Sequence, residues 1–125
     1  MEDEIATVSS VHIPSTYIDN EALRIRAYRE IAEATHTQHI KEITKSLKDR
    51  FGPLPEQVQT LLKIAEIRVE AAARDITEVK VLYNKLMLAR GNTYLKGPDG
   101  YPSLPKGSTI RKLQFINNMI KTISN

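Results

Sequence analysis

The chain has 125 residues, of which 41% are hydrophobic and 26% are charged, a composition typical of a folded domain rather than of a disordered or membrane-spanning chain. It contains no cysteine, which excludes disulfides, thiolate metal sites and a cysteine nucleophile. The net charge is +3, and residues 5–125 alone hold 18 basic and 12 acidic residues, an excess that permits contact with nucleic acid without requiring it.

The length predicts a single domain over residues 1–125, with residues 1–7 flexible. The first residues are acidic, unlike the basic start of a signal peptide, and no apolar run is long enough to cross a bilayer. We therefore expect a cytoplasmic protein that does not contact the membrane.

A strand and a helix are the first predicted elements. Loosely alternating β-branched residues predict a short strand from Ile5 to Ile13, which Pro14 ends because proline cannot donate to a ladder. Asp19 or Asn20 offers a side-chain cap for the helix that follows. Apolar residues at spacings of three and four mark its buried face: Leu23, Ala27, Tyr28, Ile31 and Ala34.

Two further helices are predicted before the pattern changes. Thr35 or Thr37 is expected to cap the second helix, and Gly52 with Pro53 ends it. Its apolar stripe is Ile40, Ile43, Leu47 and Phe51. The third helix begins at Pro55 and fades near Arg74. Its wide apolar face comprises Val58, Leu61, Leu62, Ile64, Ala65, Val69 and Ala72.

The hydrophobic period changes to two after the third helix. Strands are predicted over residues 76–83, 86–90 and 93–95, with a turn near Asn84 and another over residues 97–100. Ser108 caps a last helix, whose stripe is Ile110, Leu113, Ile116 or Asn117, Ile120 and Ile123. The predicted fold class is α+β: three consecutive helices, a small, mostly antiparallel sheet and a C-terminal helix.

No catalytic or cofactor motif is found. The five glycines form no phosphate-binding pattern, and the serines lack the glycine context of a nucleophile elbow. Glu33, His36 and His39 have a spacing that would suit zinc on one continuous helix, but the helix is expected to break between Thr35 and Thr37. We therefore predict no catalytic residue, no metal and no cofactor.

Two alternatives stay open. Lys41, Lys45 and Lys48 recur at spacings of four and three on one helix face, where they either contact phosphates or form a solvated face. The first interpretation makes the chain a small basic nucleic-acid-binding module. The second alternative is a small enzyme with a site assembled across loops, around residues 94, 99 and 101.

Three sequence segments together resemble a known family. They are Ile13-Pro14-x-x-Tyr17-Ile18, Arg24-x-x-x-Tyr28-Arg29-x-Ile31-Ala32, and Leu47-x-Asp49-Arg50-Phe51-Gly52-Pro53-Leu54-Pro55. In this order they resemble the C-terminal domain of the bacterial transcription-repair coupling factors, the TRCF family, from about Val8 to Ile76. Beyond Val79 the resemblance lies in the order of elements more than in the residues.

The resemblance implies a regulatory domain within a larger parent protein. Members of the family are ATP-dependent DNA translocases that release stalled RNA polymerase and recruit nucleotide excision repair. None of their motor motifs occurs in this chain, so RNA polymerase and DNA would be contacted through the parent only. The domain itself would be a non-catalytic monomer that docks on the UvrB-like N-terminal module, masks the surface that binds UvrA, and restrains the motor.

The resemblance also implies where the docking edge lies. In the family this edge is on the helix that ends in the Asp-Arg-Phe-Gly motif, and its acids face arginines of the partner. The matching interface residues here are Ser46, Asp49, Arg50 and Gly52. Ser46 stands where relatives often carry Glu, which predicts weaker pairing. The alternative is a local Asp49–Arg50 ion pair, with Phe51 in the core.

Overall fold

The computed structural model describes residues 11–124, which form four helices and one antiparallel sheet. The elements are α1 (Glu21–Glu33), α2 (Thr37–Phe51), α3 (Glu56–Ala73), β1 (Glu78–Leu82), β2 (Lys85–Arg90), β3 (Thr93–Leu95) and α4 (Thr109–Lys121). The strand order is β1-β2-β3, so the predicted α+β class is confirmed. The flexible start predicted for residues 1–7 lies outside the described residues, as does most of the predicted first strand. Its described part, residues 11–13, is not a strand, so that part of the prediction is wrong.

Of the three predicted N-terminal side-chain caps, two are confirmed and one is wrong. Asn20 Oδ1 accepts from the Leu23 N–H at 2.9 Å, and the Ser108 hydroxyl accepts from the Arg111 N–H at 3.1 Å. The cap of α2 is His36, which makes no side-chain capping bond. The hydroxyl of Thr37 is not available as a cap because it donates to the Glu70 carboxylate of α3 at 2.9 Å.

The apolar residues form two clusters that share α3. The helical core joins residues before β1, among them Ile18, Ile31, Ile40, Leu47 and Val58. The sheet core joins the second half of α3 to the strands and α4; its members include Ile67, Val81, Leu86, Leu113, Ile116 and Ile120. Because α3 contributes to both clusters, its buried residues lie on two faces. This corrects the single predicted stripe: Ala72 is exposed, whereas Thr60, Ile67 and Ala71 are buried.

The β1–β2 hairpin closes through a two-residue turn. Leu82 pairs with Lys85, and the two residues between them, Tyr83 and Asn84, have φ angles of 52° and 64°. Two left-handed residues are the geometry of a type I′ turn, which matches the twist of the flanking strands. Tyr83, predicted to be a strand residue, therefore lies in the turn, while the turn predicted near Asn84 is confirmed.

The turn predicted over residues 97–100 is also confirmed. Gly97 and Gly100 exchange both backbone hydrogen bonds, at 3.2 and 3.1 Å. The chain then returns to the sheet, where the Leu86 N–H donates to the Pro102 carbonyl at 2.8 Å and the Leu104 N–H to the Asn84 carbonyl at 3.0 Å. These two bonds attach residues 102–104 to the β1–β2 hairpin shortly before α4 begins at Thr109.

A half-buried polar network connects the two cores at the end of α3. The Arg74 guanidinium donates to the Glu70 carboxylate at 2.6 Å and to the Ile123 carbonyl at 3.0 Å. Arg90 of β2 donates to the Arg74 carbonyl at 2.7 Å. Burial alone would raise the pKa of Glu70, but the hydrogen bonds from Arg74 and Thr37 outweigh it and hold that pKa below its usual value.

Candidate functional site

The carboxyl end of α2 is held in place by its glycine and by a tyrosine from the preceding segment. Gly52 has φ 93° and ψ −166°, a conformation essentially restricted to glycine, and its N–H donates to the Lys48 carbonyl at 2.9 Å. The Tyr17 hydroxyl lies 2.8 Å from the Gly52 carbonyl and 3.1 Å from the Leu47 carbonyl. Burial raises the pKa of Tyr17, which therefore stays a neutral donor.

The residues that carry the family resemblance bind one another. Arg24 of α1 donates to the Ile18 carbonyl at 2.9 Å, and the Tyr28 hydroxyl accepts from the Ile13 N–H. Through these bonds α1 holds the segment that carries Tyr17. The three quoted segments thus form one hydrogen-bonded corner, which sets the direction of the exposed face of α2.

The predicted interface residues lie on the exposed side of α2, next to this corner. Ser46, Asp49 and Arg50 are exposed. Asp49 Oδ2 lies 3.1 Å from Lys45 Nζ one turn earlier, an i,i+4 ion pair whose side chains are 63% and 79% exposed, respectively. The alternative of an Asp49–Arg50 ion pair is therefore wrong, because the carboxylate pairs with Lys45.

Arg50 and Phe51 complete the end of the helix. The Arg50 guanidinium carbon lies 4.9 Å from the centroid of the Phe51 ring. The ring is half-buried against the helical core, with its centroid 5.8 Å from that of Tyr17, so the prediction of Phe51 in the core is confirmed. Arg50 thus presents its charge to solvent from a stacked, preorganised position.

The predicted lysine row is a face of mixed charge. Lys41, Lys45 and Lys48 are exposed on the same side of α2, but Lys45 is held by Asp49. Across the whole of α2, four basic residues face two acids, a net charge of +2. Lys48 borders an open groove of about 770 Å³, formed where α2, α3 and α4 meet. Among the residues that the structure describes, the row therefore offers two lysines without an ion pair rather than three.

The other candidate sites are not assembled by the fold. Glu33 ends α1 and His36 precedes α2, which confirms the predicted break between the helices. Within residues 11–124 no three His, Asp or Glu side chains are grouped so as to hold a metal ion. Asp99 and Tyr101 border a cavity of about 420 Å³, with an apolar floor formed by Leu86, Leu88, Leu95, Met119 and Ile123.

The loop site proposed around residues 94, 99 and 101 is also divided between two faces of the sheet. The Tyr94 hydroxyl donates to the Glu78 carboxylate at 3.0 Å, and Tyr94 does not line the cavity that Asp99 and Tyr101 border. The polar groups that an enzyme would need do not converge there.

None of the helices within residues 11–124 combines the length and hydropathy needed to cross a membrane.

The family model described as the TRCF domain matches residues 8–94. The chain belongs to this TRCF-domain family. A transcription-repair-coupling factor from Buchnera aphidicola is 33% identical over 117 residues, which cover 87% of this chain and 14% of that protein. The corresponding protein from Mycobacterium tuberculosis is 34% identical over 68 residues, or 54% of this chain and 6% of its own length. The predicted resemblance is therefore confirmed.

A solved structure agrees with the assignment. The crystal structure of a C-terminal domain of transcription-repair coupling factor superposes with a TM-score of 0.58 at 26% identity, covering 64% of this chain and 50% of that one. The curated relatives are far longer proteins, since this chain spans only 6% to 14% of the length of those described above. The TRCF domain accounts for residues up to Tyr94, whereas α4 lies beyond the matched range.

The sequence analysis missed a second exposed surface. Strand pairing places seven residues on the side of the sheet opposite the sheet core, hereafter the outer sheet face: Glu78, Lys80, Leu82, Lys85, Met87, Ala89 and Tyr94. Tyr83 extends from the adjoining turn and is 89% exposed. A count of charges by segment would have drawn attention to this half of the chain, because only one acid follows Val79.

Proposed function

We propose that this chain is the regulatory, non-catalytic C-terminal domain of a transcription-repair coupling factor that acts in the cytoplasm. In this proposal it docks on the UvrB-like N-terminal module of its parent, masks the surface that binds UvrA, and restrains an ATP-dependent DNA translocase. RNA polymerase and DNA are then engaged by the parent. The family membership and the names of the relatives in transcription-coupled DNA repair support this role.

One observation supports the docking most directly: the exposed end of α2 is hydrogen-bonded in place and polar. Its backbone is fixed by Gly52 and Tyr17, while Ser46, Asp49 and Arg50 face solvent. A preorganised surface loses little conformational entropy on binding, so a moderate interface can still be specific. A regulatory clamp needs such a moderate interface because it must release when the motor is activated.

The decisive experiment mixes the purified chain with the N-terminal module of the parent in a calorimeter and then adds UvrA as a competitor. We expect association that UvrA reverses. In the full-length parent, deletion of this domain is expected to expose UvrA binding and raise basal ATP hydrolysis. No association, together with unchanged UvrA binding after deletion, would contradict the clamp.

Asp49→Arg is expected to weaken docking by roughly tenfold, because a charge-assisted hydrogen bond to a partner arginine is worth at least about 1.5 kcal/mol. The low end of the range applies because Ser46 supplies no second acid. The melting temperature should stay nearly unchanged, since Asp49 is exposed. Calorimetric affinity and thermal melting, measured on the same preparation, separate the two effects.

Lys45→Ala is expected to tighten docking several-fold. Lys45 Nζ forms an ion pair with the Asp49 carboxylate at 3.1 Å. It therefore competes with a partner arginine for the same acceptor. Lys41→Ala is the matched control, because it removes the same charge one turn earlier from a side chain that has no ion pair with a described residue. Equal affinities for the two variants would show that Asp49 does not accept from the partner.

A further inference from the structure

The charge of this protein is divided unevenly between its two halves. Residues 78–125 contain eight lysines and arginines against two acids, Glu78 and Asp99, a net charge of +6. Residues 1–77 contain ten basic and thirteen acidic residues, a net charge of −3. The overall charge of +3 conceals this separation. The half that contains the sheet and α4 therefore attracts polyanions more strongly than α2 does.

The outer sheet face combines this charge with flat and apolar side chains. Lys80 lies directly opposite Met87, and Leu82 lies opposite Lys85. Lys80 Nζ lies 5.1 Å from the centroid of the Tyr94 ring. These side chains belong to neither hydrophobic core; Lys80, Met87 and Tyr94 are half-buried, and Leu82 and Lys85 are exposed. Glu78 lies on the same face, with its carboxylate 3.9 Å from Lys80 Nζ and accepting from the Tyr94 hydroxyl at 3.0 Å. The face thus presents two lysines and an aromatic ring with one acid.

Tyr83 is the most unusual residue of this surface. Its ring is 89% exposed, and its φ of 52° lies in the left-handed region. Type I′ turns favour Asn, Asp or Gly at this position, and a bulky residue there is a conformational outlier. The fold gains neither burial nor a favourable turn from an aromatic residue at this point. Local strain of this kind is a reason to look for a function.

We propose that the outer sheet face and Tyr83 bind single-stranded nucleic acid. The Tyr83 ring stacks on an unpaired base, while Lys80 and Lys85 contact neighbouring phosphates. An acidic peptide would use the lysines but gain little from a flat exposed ring, and in a duplex the faces of the bases are already stacked. The proposal is independent of docking through α2, because the two surfaces use different elements.

The first test measures the fluorescence anisotropy of a labelled oligothymidine of about 12 nucleotides, a length within the usual range for one such site. Lys80→Gln with Lys85→Gln is expected to weaken binding and to reduce the slope of log affinity against log salt by about 1.4, as for two lost phosphate contacts. Lys41→Gln with Lys45→Gln removes the same charge from α2 and should change little. The opposite ranking of these two double variants would overturn the proposal in favour of the lysine row.

The second test uses the strain at Tyr83 to separate binding from folding. Tyr83→Asn places a residue that favours the left-handed conformation, so the melting temperature should be unchanged or higher while affinity falls by on the order of 5- to 100-fold. Tyr83→Phe keeps the ring and should bind normally. No binding by the unmodified chain at low salt, or full binding by Tyr83→Asn, would overturn the proposal. So would equal competition by polyglutamate or by a duplex of the same length.

Discussion

Replacing Arg74 by alanine is expected to lower the free energy of unfolding by about 3 kcal/mol, the lower end of the range for removing one partner of a buried ion pair. The side chains of Arg74 and Glu70 are only 20% and 12% exposed, and their contact is 2.6 Å long. The same guanidinium also donates to the Ile123 carbonyl beyond α4. Its removal leaves the Glu70 carboxylate with Thr37 as its remaining hydrogen-bond donor.

Chemical denaturation of four proteins checks this expectation. Arg29→Ala is the control, because Arg29 is exposed on α1 and its loss should change stability by less than about 0.5 kcal/mol. Adding Glu70→Gln to Arg74→Ala should recover part of the loss, since the uncompensated charge is then removed. A double variant as unstable as Arg74→Ala alone would show that the cost comes from lost packing instead.

The pH dependence provides an independent measurement of the same pair. Because the pKa of Glu70 is lowered in the folded chain, its contribution is present above the unfolded value of about 4.3 and is lost as the pH falls through the folded pKa. The stability difference between the unmodified chain and Arg74→Ala should therefore narrow below about pH 4. A difference that stays constant from pH 7 to pH 3 would contradict the role given to this ion pair.

Much of the helical half was predictable because its signals are local. Asn20 and Ser108 cap helices through bonds within their own first turns, and Gly52 ends α2 through its own backbone conformation. The two-faced burial of α3 was not predictable in the same way. A single apolar stripe does not reveal that Ile67 and Ala71 face a different cluster from that of Val58, because this depends on where α4 packs.

The candidate site was predicted in position but not in its interactions. The family motif led to Ser46, Asp49 and Arg50, all of which lie together on the exposed side of α2. The pairing of Asp49 with Lys45 is an ordinary i,i+4 contact that the sequence contained. The exposure of Tyr83 was hidden because aromatic residues usually indicate strands, and only the register shows that this one lies in the turn.

The largest effect is expected from removing residues 96–125, which leaves the matched family segment but deletes α4. Leu113, Ile116 and Ile120 are almost completely buried in the sheet core, and losing three such side chains forfeits about 5–9 kcal/mol of hydrophobic stabilisation. That is comparable to the whole stability of an ordinary domain. A small sheet without a covering layer is marginal in water, so β1 and β2 should lose their order.

Hydrogen exchange is the appropriate measurement, because the two cores should respond differently. The helical core draws its members from residues before β1 and keeps its own contacts, so amides of α1 and α2 should retain protection in the shortened chain. Amides of β1 and β2 should exchange freely. Ile120→Ala is a milder version of the deletion, and it is expected to lower the free energy of unfolding by about 2–5 kcal/mol. Asn118→Ala, exposed on the same helix, is its control. Protected strands in the shortened chain would show that the TRCF segment folds without α4.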